Sequence, residues 1–116
     1  MTILNKQKKF RKLRIISSNY KITYHKKIIN PVNGHYLDGQ IWETKQLIKI
    51  CKLLDYEQML RTIMHEAIHG IDFEMCFNLK REEDRTNQLT TGITCFIRDN
   101  PEFIMEYMRV LNEGGK

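Results

Sequence analysis

The hydrophobic pattern changes its period at Asp55, and this change limits the possible fold more than any other feature of the chain. Asp55 can cap a helix, and Gln58 three residues later completes a capping-box-like pair. Apolar residues then recur at the i, i+3, i+4, i+7 and i+8 spacing of one buried helix face: Leu60, Ile63, Met64, Ala67, Ile68, Ile71 and Met75. An alternating pattern before this point and a helical one after it predict an α+β domain.

Two more helices are predicted in the second half of the chain. The polar stretch from Asn78 to Asp84 breaks the first helix, and a second runs from about Glu83 to Arg98. Asn100 caps the third helix, with Pro101 at its first position. The residues predicted to point inward from the second helix are Leu89, Ile93, Phe96 and Ile97. The apolar residues of the third helix are Phe103, Ile104, Tyr107, Met108 and Leu111.

The first half of the chain is typical of short strands. Leu13, Ile15, Tyr20, Ile22 and Tyr24 alternate with polar residues on either side of the Ser17-Ser18-Asn19 turn, which predicts a hairpin. Turn signals follow, and the segments 41–43 and 47–51 are predicted as two more strands. We expect a small antiparallel sheet packed against three helices. Residues 1–116 form one domain in this interpretation, with a basic strand region at 1–34, strands at 35–54 and helices at 55–112.

Charge is distributed unevenly along the chain. Residues 1–30 contain nine Lys or Arg and no acid, although the net charge of the whole chain is only +5. Such a basic region could contact nucleic acid or an acidic partner. It could equally be a solvated edge hairpin whose lysines prevent edge pairing. The second interpretation is favoured, because the basic residues are not interleaved with aromatic side chains on which bases could stack.

Length and composition narrow the class of protein further. A chain of 116 residues is too short for a second core, and no apolar run is longer than three residues, which argues against a transmembrane helix. The basic N-terminal residues are not followed by the apolar stretch of a secretory signal. The three cysteines, Cys51, Cys76 and Cys95, form no C-x-x-C pair. A reduced, cytoplasmic compartment is therefore expected.

The first helix carries an H-E-x-x-H motif made by His65, Glu66 and His69. Residues four apart lie on one helix face, so both imidazoles can reach one metal ion. Zinc held in this way lowers the pKa of a bound water, and the adjacent carboxylate can take the proton. The motif predicts a zinc centre with Glu66 as general base. The alternative is two surface histidines that flank a glutamate without binding metal.

A catalytic zinc also needs a third protein ligand and an open position. No third histidine has a suitable spacing, but the acidic cluster Glu82-Glu83-Asp84 opens the second helix, which could return toward the first. One of these acids could complete a His₂Glu set. Alternatively, they are charges favoured by a helix N-terminus.

The segment from Gln58 to Ile71, with its H-E-x-x-H-G core, resembles the active helix of ImmA/IrrE-type zinc metallopeptidases, above all the short versions from phages and mobile elements. The strand segments 39–41 and 47–50 and the segment from Glu83 to Asn100 resemble the same family. The likeness spans about residues 35–105. It implies a zincin-like fold, a peptidase activity and a cytoplasmic location in a bacterial or phage-infected cell.

The resemblance also assigns roles to individual residues. His65 and His69 match the zinc ligands, Glu66 the general base and Glu83 the acidic third ligand, with Asp84 and Glu82 as neighbouring alternatives. The sequence departs from the larger members of the family at Arg85, Thr86, Asn87 and Thr90. Members of the family act on helix-turn-helix repressors, so the resemblance implies a protein substrate of this kind.

Several interpretations stay open at this point. Tyr36 and Trp42 could line a substrate groove or pack in the core. Tyr107, His35 and Arg98 are chemically suitable oxyanion stabilisers. The chain could also be a metallopeptidase-like module that binds a regulator without cutting it, or a nucleic-acid binder that uses its basic N-terminal region.

Overall fold

A computed structural model describes residues 7–76 and 81–114 of the chain, and it has the predicted α+β class. Lys6, residues 78–80 of the predicted helix break and Gly115 lie outside the described residues. The strands are β1 (Lys12–Ile15), β2 (Ser18–His25), β3 (Gly39–Trp42) and β4 (Leu47–Cys51), and a 3-10 turn, Glu43–Lys45, joins β3 to β4. The helices are α1 (Tyr56–Cys76), α2 (Glu82–Asp99) and α3 (Pro101–Gly114).

The four strands form one mixed sheet in the order β1-β2-β4-β3. The predicted hairpin is confirmed, since β1 and β2 are antiparallel, and β3 and β4 are also antiparallel. The prediction of a wholly antiparallel sheet is wrong, because β4 lies between β2 and β3 and runs parallel to β2. Alternation of apolar residues predicts which face of a strand is buried, but not which strand lies beside it.

One face of the sheet packs against the helices, and α1 crosses it. The sheet and α1 contribute ten of the side chains in the main hydrophobic cluster, and Phe96 of α2 and Phe103 of α3 close it. The members from the sheet and α1 are Leu13, Ile15, Tyr20, Ile22, Ile48, Ile50, Leu60, Ile63, Ala67 and Ile71. Buried and more exposed side chains alternate along β1 and β4 and through the first half of β2, and the more exposed ones lie on the opposite face of the sheet.

The ends of the helices differ in how they are capped. The backbone N–H of Gln58 donates to Asp55 Oδ1 at 2.8 Å, so half of the predicted capping box is present. The other half is not, because the Gln58 side chain donates to Thr62 Oγ1. Asn100 stands before Pro101 as predicted, but its side chain binds the main chain of Arg14 in β1. Within the described residues, no helix is long and apolar enough to cross a membrane.

Four apolar residues of the predicted helices are exposed, and two of them, Ile68 and Ile97, were predicted to point inward. Ile68 and Leu111 are each 40% exposed, Ile97 47% and Met108 63%. Helical spacing places them at the margins of the apolar stripes. The sheet and the neighbouring helices cover only the centre of each stripe, which explains the difference.

Candidate active site

The two histidines of the motif lie on one exposed face of α1 and converge. Their Nε2 atoms are 3.2 Å apart, and their rings meet edge to face at 75°. Two nitrogen ligands of a tetrahedral zinc ion, each bound at the usual length, lie about 3.3 Å apart. The distance between His65 Nε2 and His69 Nε2 is therefore suitable for binding one metal ion with both side chains.

Glu66 lies beside the pair but points toward the sheet. Only 6% of its surface is exposed, and its carboxylate accepts no hydrogen bond from any described residue. Burial raises the pKa of Glu66 above its ordinary value, and Glu43 adds to the rise, while His65 and His69 oppose it. A desolvated carboxylate without a hydrogen-bond donor is costly to the fold, and it is a strong candidate for a proton acceptor.

Gly39 lets the first residue of β3 approach this carboxylate. A Cβ atom at this position would lie 2.6 Å from Thr62 Cγ2 and 3.2 Å from Glu66 Oε2, so a side chain would collide with α1. Strand and helix thereby enclose a cleft of about 400 Å³. It is lined by Tyr36, Leu37, Asp38 and Gly39 on the strand side and by Gln58, Arg61, Thr62, His65 and Glu66 on the helix side.

The main chain of β3 is available at the mouth of this cleft. β4 is the one strand of the described sheet that pairs with β3. The N–H of Cys51 donates to the carbonyl of Asp38, so these two residues form a hydrogen-bonded pair. In an antiparallel pair of strands only every second residue is bonded to the partner strand in this way. The N–H and C=O groups of Gly39 and Ile41 therefore point away from β4. They offer an extended peptide a ready row of hydrogen-bonding partners.

The acidic cluster lies on the first turn of α2, apart from the histidines. Glu82 and Glu83 are exposed, and Asp84 pairs with Arg81 at 3.7 Å. Among the described residues, no three His, Cys, Asp or Glu side chains are grouped to hold a metal. The structure thus brings His65, Glu66 and His69 together but does not add Glu83 to them. The role of Glu83 as third ligand stays a prediction.

An ion pair fixes this end of α2 against α1. Arg85 Nη2 lies 2.8 Å from Oδ1 of Asp72, which is three residues beyond His69 on α1. The contact sets where the acidic turn lies relative to the histidine pair. Spacing in the sequence could not predict it, because the pair joins residues on two different helices.

The three oxyanion candidates are not among the residues that line the cleft. Arg98 pairs with its neighbour Asp99, Tyr107 packs on Phe103, and His35 is on an exposed loop. Tyr36 lines the cleft, which agrees with the groove alternative rather than with packing in the core. Trp42 is not among the residues that line the cleft. Sequence reasoning missed Arg61, although its position four residues before His65 places it on the same face of α1.

Comparison with known families gives one result. Residues 25–108 match the family described as "Protein of unknown function (DUF3920)", and the chain belongs to that family. Searches of curated proteins and of solved structures give no match. The matched segment contains β3, β4, α1, α2 and most of α3, so it includes the whole of the cleft described above.

Proposed function

We propose that the protein is a zinc-dependent metallopeptidase, and that the cleft between β3 and α1 is its active site. The convergence of the two histidine Nε2 atoms beside a buried carboxylate that accepts no hydrogen bond from a described residue carries this proposal. His65 and His69 would hold the metal, with Glu83 as the third ligand that the likeness to ImmA/IrrE-type peptidases implies. Bound zinc supplies Lewis-acid polarisation of the substrate carbonyl and of water.

Glu66 is the general base in this mechanism. Its desolvated carboxylate accepts a proton from water while the water oxygen attacks the carbonyl carbon of the scissile peptide. When the C–N bond breaks, Glu66 returns that proton to the nitrogen of the leaving amine. A raised pKa favours both transfers, because it brings the proton affinity of the carboxylate nearer to that of its partners.

The open edge of β3 orients the substrate. A peptide that adds as an extended strand binds the main-chain groups of Gly39 and Ile41, and this places its own carbonyl groups along the cleft. Arg61 and Asp38 line the same cleft with opposite charges, so they can select among substrate side chains. The proposed substrate is a transcriptional regulator of a phage or mobile element, in keeping with the family that the active helix resembles.

Metal binding provides the direct test. Zinc that binds the folded chain alone raises the free energy of unfolding by about 2.7 kcal/mol at a hundredfold excess over Kd. We expect thermal unfolding to shift upward with zinc and back with a chelator. His65→Ala and His69→Ala should each abolish the shift, while His35→Ala, on the exposed loop, should keep it. A melting temperature of the unmodified protein that changes neither with zinc nor with chelator would contradict the proposal.

The third ligand is tested in the same titration. Glu83→Gln should weaken zinc binding, and Glu82→Gln, its neighbour on the same helix turn, should change it little. The reverse result would move the ligand by one residue. Zinc binding without cleavage of any candidate regulator would instead favour a binding module with the fold of a peptidase.

A further inference from the structure

The sheet face that turns away from the helices, here called the outer face, is strongly basic. Its exposed or half-buried side chains include Lys12, Arg14, Lys21 and Lys49, with Thr23, Gln40 and Trp42 among them. The alternation of β1, β2, β4 and β3 places them on the side opposite the core. All four strands lack Asp and Glu, so no acidic side chain of the sheet offsets this charge.

The four basic side chains of the outer face form no ion pair within the described residues, although the charge of Arg14 interacts with that of Asp99 in α2. All ion pairs of the described residues lie in the helical half of the chain. Lys12 even lies directly opposite Lys21 in the β1–β2 register. Like charges placed opposite one another destabilise a strand pair, so the arrangement favours a polyanionic ligand over a purely structural role.

An exposed aromatic ring lies beside these charges. Trp42 is 37% exposed at the end of β3, and its Nε1 donates to Gln40 Oε1 at 2.8 Å, which holds the ring in place. The ammonium groups of Lys45 and Lys49 lie 4.9 and 5.5 Å from the ring centroid. A ring that attracts cations in this way also presents a flat face on which a base can stack.

A shallow hollow adjoins the ring. It has a volume of about 180 Å³, and polar side chains suited to base edges border it together with Trp42. His25 and Gln40 offer donors and acceptors there, and Lys49 adds a positive charge. In the sequence, the basic residues are not interleaved with aromatic side chains on which bases could stack. In the structure, pairing of β3 with β4 brings the Trp42 ring onto the basic face.

From these observations we infer that the outer face binds single-stranded nucleic acid. The phosphates contact Lys12, Arg14, Lys21 and Lys49, and one base stacks on Trp42. A single strand is favoured over a duplex because unstacked bases are needed to reach the ring, and the Asp and Glu side chains of an acidic peptide carry no aromatic ring to stack on it. This surface is separate from the cleft, so the inference does not depend on the proposed peptidase activity.

Trp42 is the single tryptophan of the chain, which makes its fluorescence a direct reporter. Titration with an oligothymidylate of about ten nucleotides should quench it. With four phosphate contacts, the logarithm of the affinity should fall with the logarithm of salt concentration with a slope of about −3. This corresponds to about a fiftyfold loss between about 50 and 200 mM salt.

Two charge variants separate specific contacts from overall charge. Lys12→Gln/Lys21→Gln should halve the slope to about −1.5. Arg81→Gln/Arg98→Gln removes the same charge from the ends of α2 and should leave slope and affinity nearly unchanged. Both substitutions are at exposed positions, and the first also removes a like-charge contact, so the fold should persist.

Trp42 itself is tested by fluorescence anisotropy with a labelled oligonucleotide. Trp42→Ala should weaken binding by roughly 5- to 100-fold, and Trp42→Phe should restore most of it. Absence of binding at low salt would overturn the inference, and so would equal losses in the two charge variants. Equal or tighter binding of a duplex, or of vesicles with anionic lipid, at the same salt would assign the face to a different partner and overturn it too.

Discussion

Glu66 and Glu106 are helix carboxylates buried to the same extent, each 6% exposed, yet their surroundings are opposite. Glu106 in α3 accepts two hydrogen bonds from Arg109, at 3.0 and 2.9 Å, and a third from the Tyr56 hydroxyl at 2.8 Å. These bonds, those of Arg109 first, hold its pKa below the ordinary range. Glu66 accepts none among the described residues, and its pKa is raised by burial.

The difference suits the two carboxylates to different roles, a structural one for Glu106 and, under the proposed function, a reactive one for Glu66. Glu106 is a stable anion whose hydrogen bonds tie α3 to α1 through Tyr56, and its proton affinity is too low for a base near neutral pH. Glu66 lacks such bonds within the described part of the chain, and its raised pKa means a higher proton affinity. Of the two buried carboxylates in the described part of the chain, the one that carries this cost is in the cleft beside the histidines.

The largest expected effect is on catalysis. Glu66→Gln should lower peptide cleavage by about 10²–10⁴-fold, because glutamine keeps the shape of the side chain but cannot accept the proton. Zinc binding should be retained, since Glu66 is not a ligand. Glu106→Gln is the matched control and should leave the rate of the folded fraction unchanged. Cleavage of a candidate repressor measures both, and a fully active Glu66→Gln protein would refute the peptidase mechanism.

The second effect is on stability at Glu106. Glu106→Gln should lower the free energy of unfolding by about 2 kcal/mol, because Arg109 loses its buried counter-charge and keeps only Glu113. Urea denaturation followed by circular dichroism measures this change. The double variant Glu106→Gln/Arg109→Gln should lose less stability than the sum of the losses of the two single variants, because both substitutions break the same contact. An unchanged midpoint would show that the three hydrogen bonds contribute nothing net.

The same substitution at Glu66 should have a smaller effect of the opposite sign. Glu66→Gln should raise the free energy of unfolding of the zinc-free protein by about 1 kcal/mol, because it removes a desolvated charge without a hydrogen-bond donor. The measurement is the same urea titration at neutral pH with a chelator present. A loss of stability equal to that of Glu106→Gln would mean that the two carboxylates are held alike.

The smallest effect should be seen in acid. The pKa of Glu106 is lower in the folded chain than in the unfolded chain, where it is about 4.3, so its contribution is complete above that value. The contribution is lost as the pH falls through the folded pKa. Tyr56 and Arg109, whose pKa values are raised, face the carboxylate and keep their protons throughout, and the positive charge of Lys8 lies nearby. The free energy of unfolding should therefore fall less steeply below about pH 4.3 in Glu106→Gln, and parallel curves would contradict this.

Much of the fold could be predicted from the sequence because it depends on local spacing. The period of Leu60, Ile63, Ala67 and Ile71 predicted α1, and alternation predicted the strands. The i, i+4 spacing of His65 and His69 predicted their convergence, which needs only one helix. These features depend on residues that are close in sequence, so elementary geometry suffices.

The features that could not be predicted join distant segments. Nothing in the spacing of Tyr20 and Ile48 shows that β2 and β4 are parallel neighbours. The burial of the Glu66 carboxylate depends on the close approach of Gly39 in β3. One of the hydrogen bonds of Glu106 depends on Tyr56 in α1. The i, i+3 spacing of Glu106 and Arg109 could have indicated their ion pair, but not its burial. The place of Glu83 depends on how α2 is held by Arg85 and Asp72.

The Asn100 side chain has a consequence for how copies of this chain can associate. Arg14 N donates to Asn100 Oδ1 at 2.9 Å and Asn100 Nδ2 donates to the Arg14 carbonyl at 2.7 Å, so one amide occupies the outward main-chain groups in the middle of β1. A second chain cannot pair there without displacing it. Strand-to-strand aggregation is thereby directed to β3, at the mouth of the cleft. Under the proposed function, a bound peptide substrate would cover that edge, so self-pairing through β3 would compete with substrate binding.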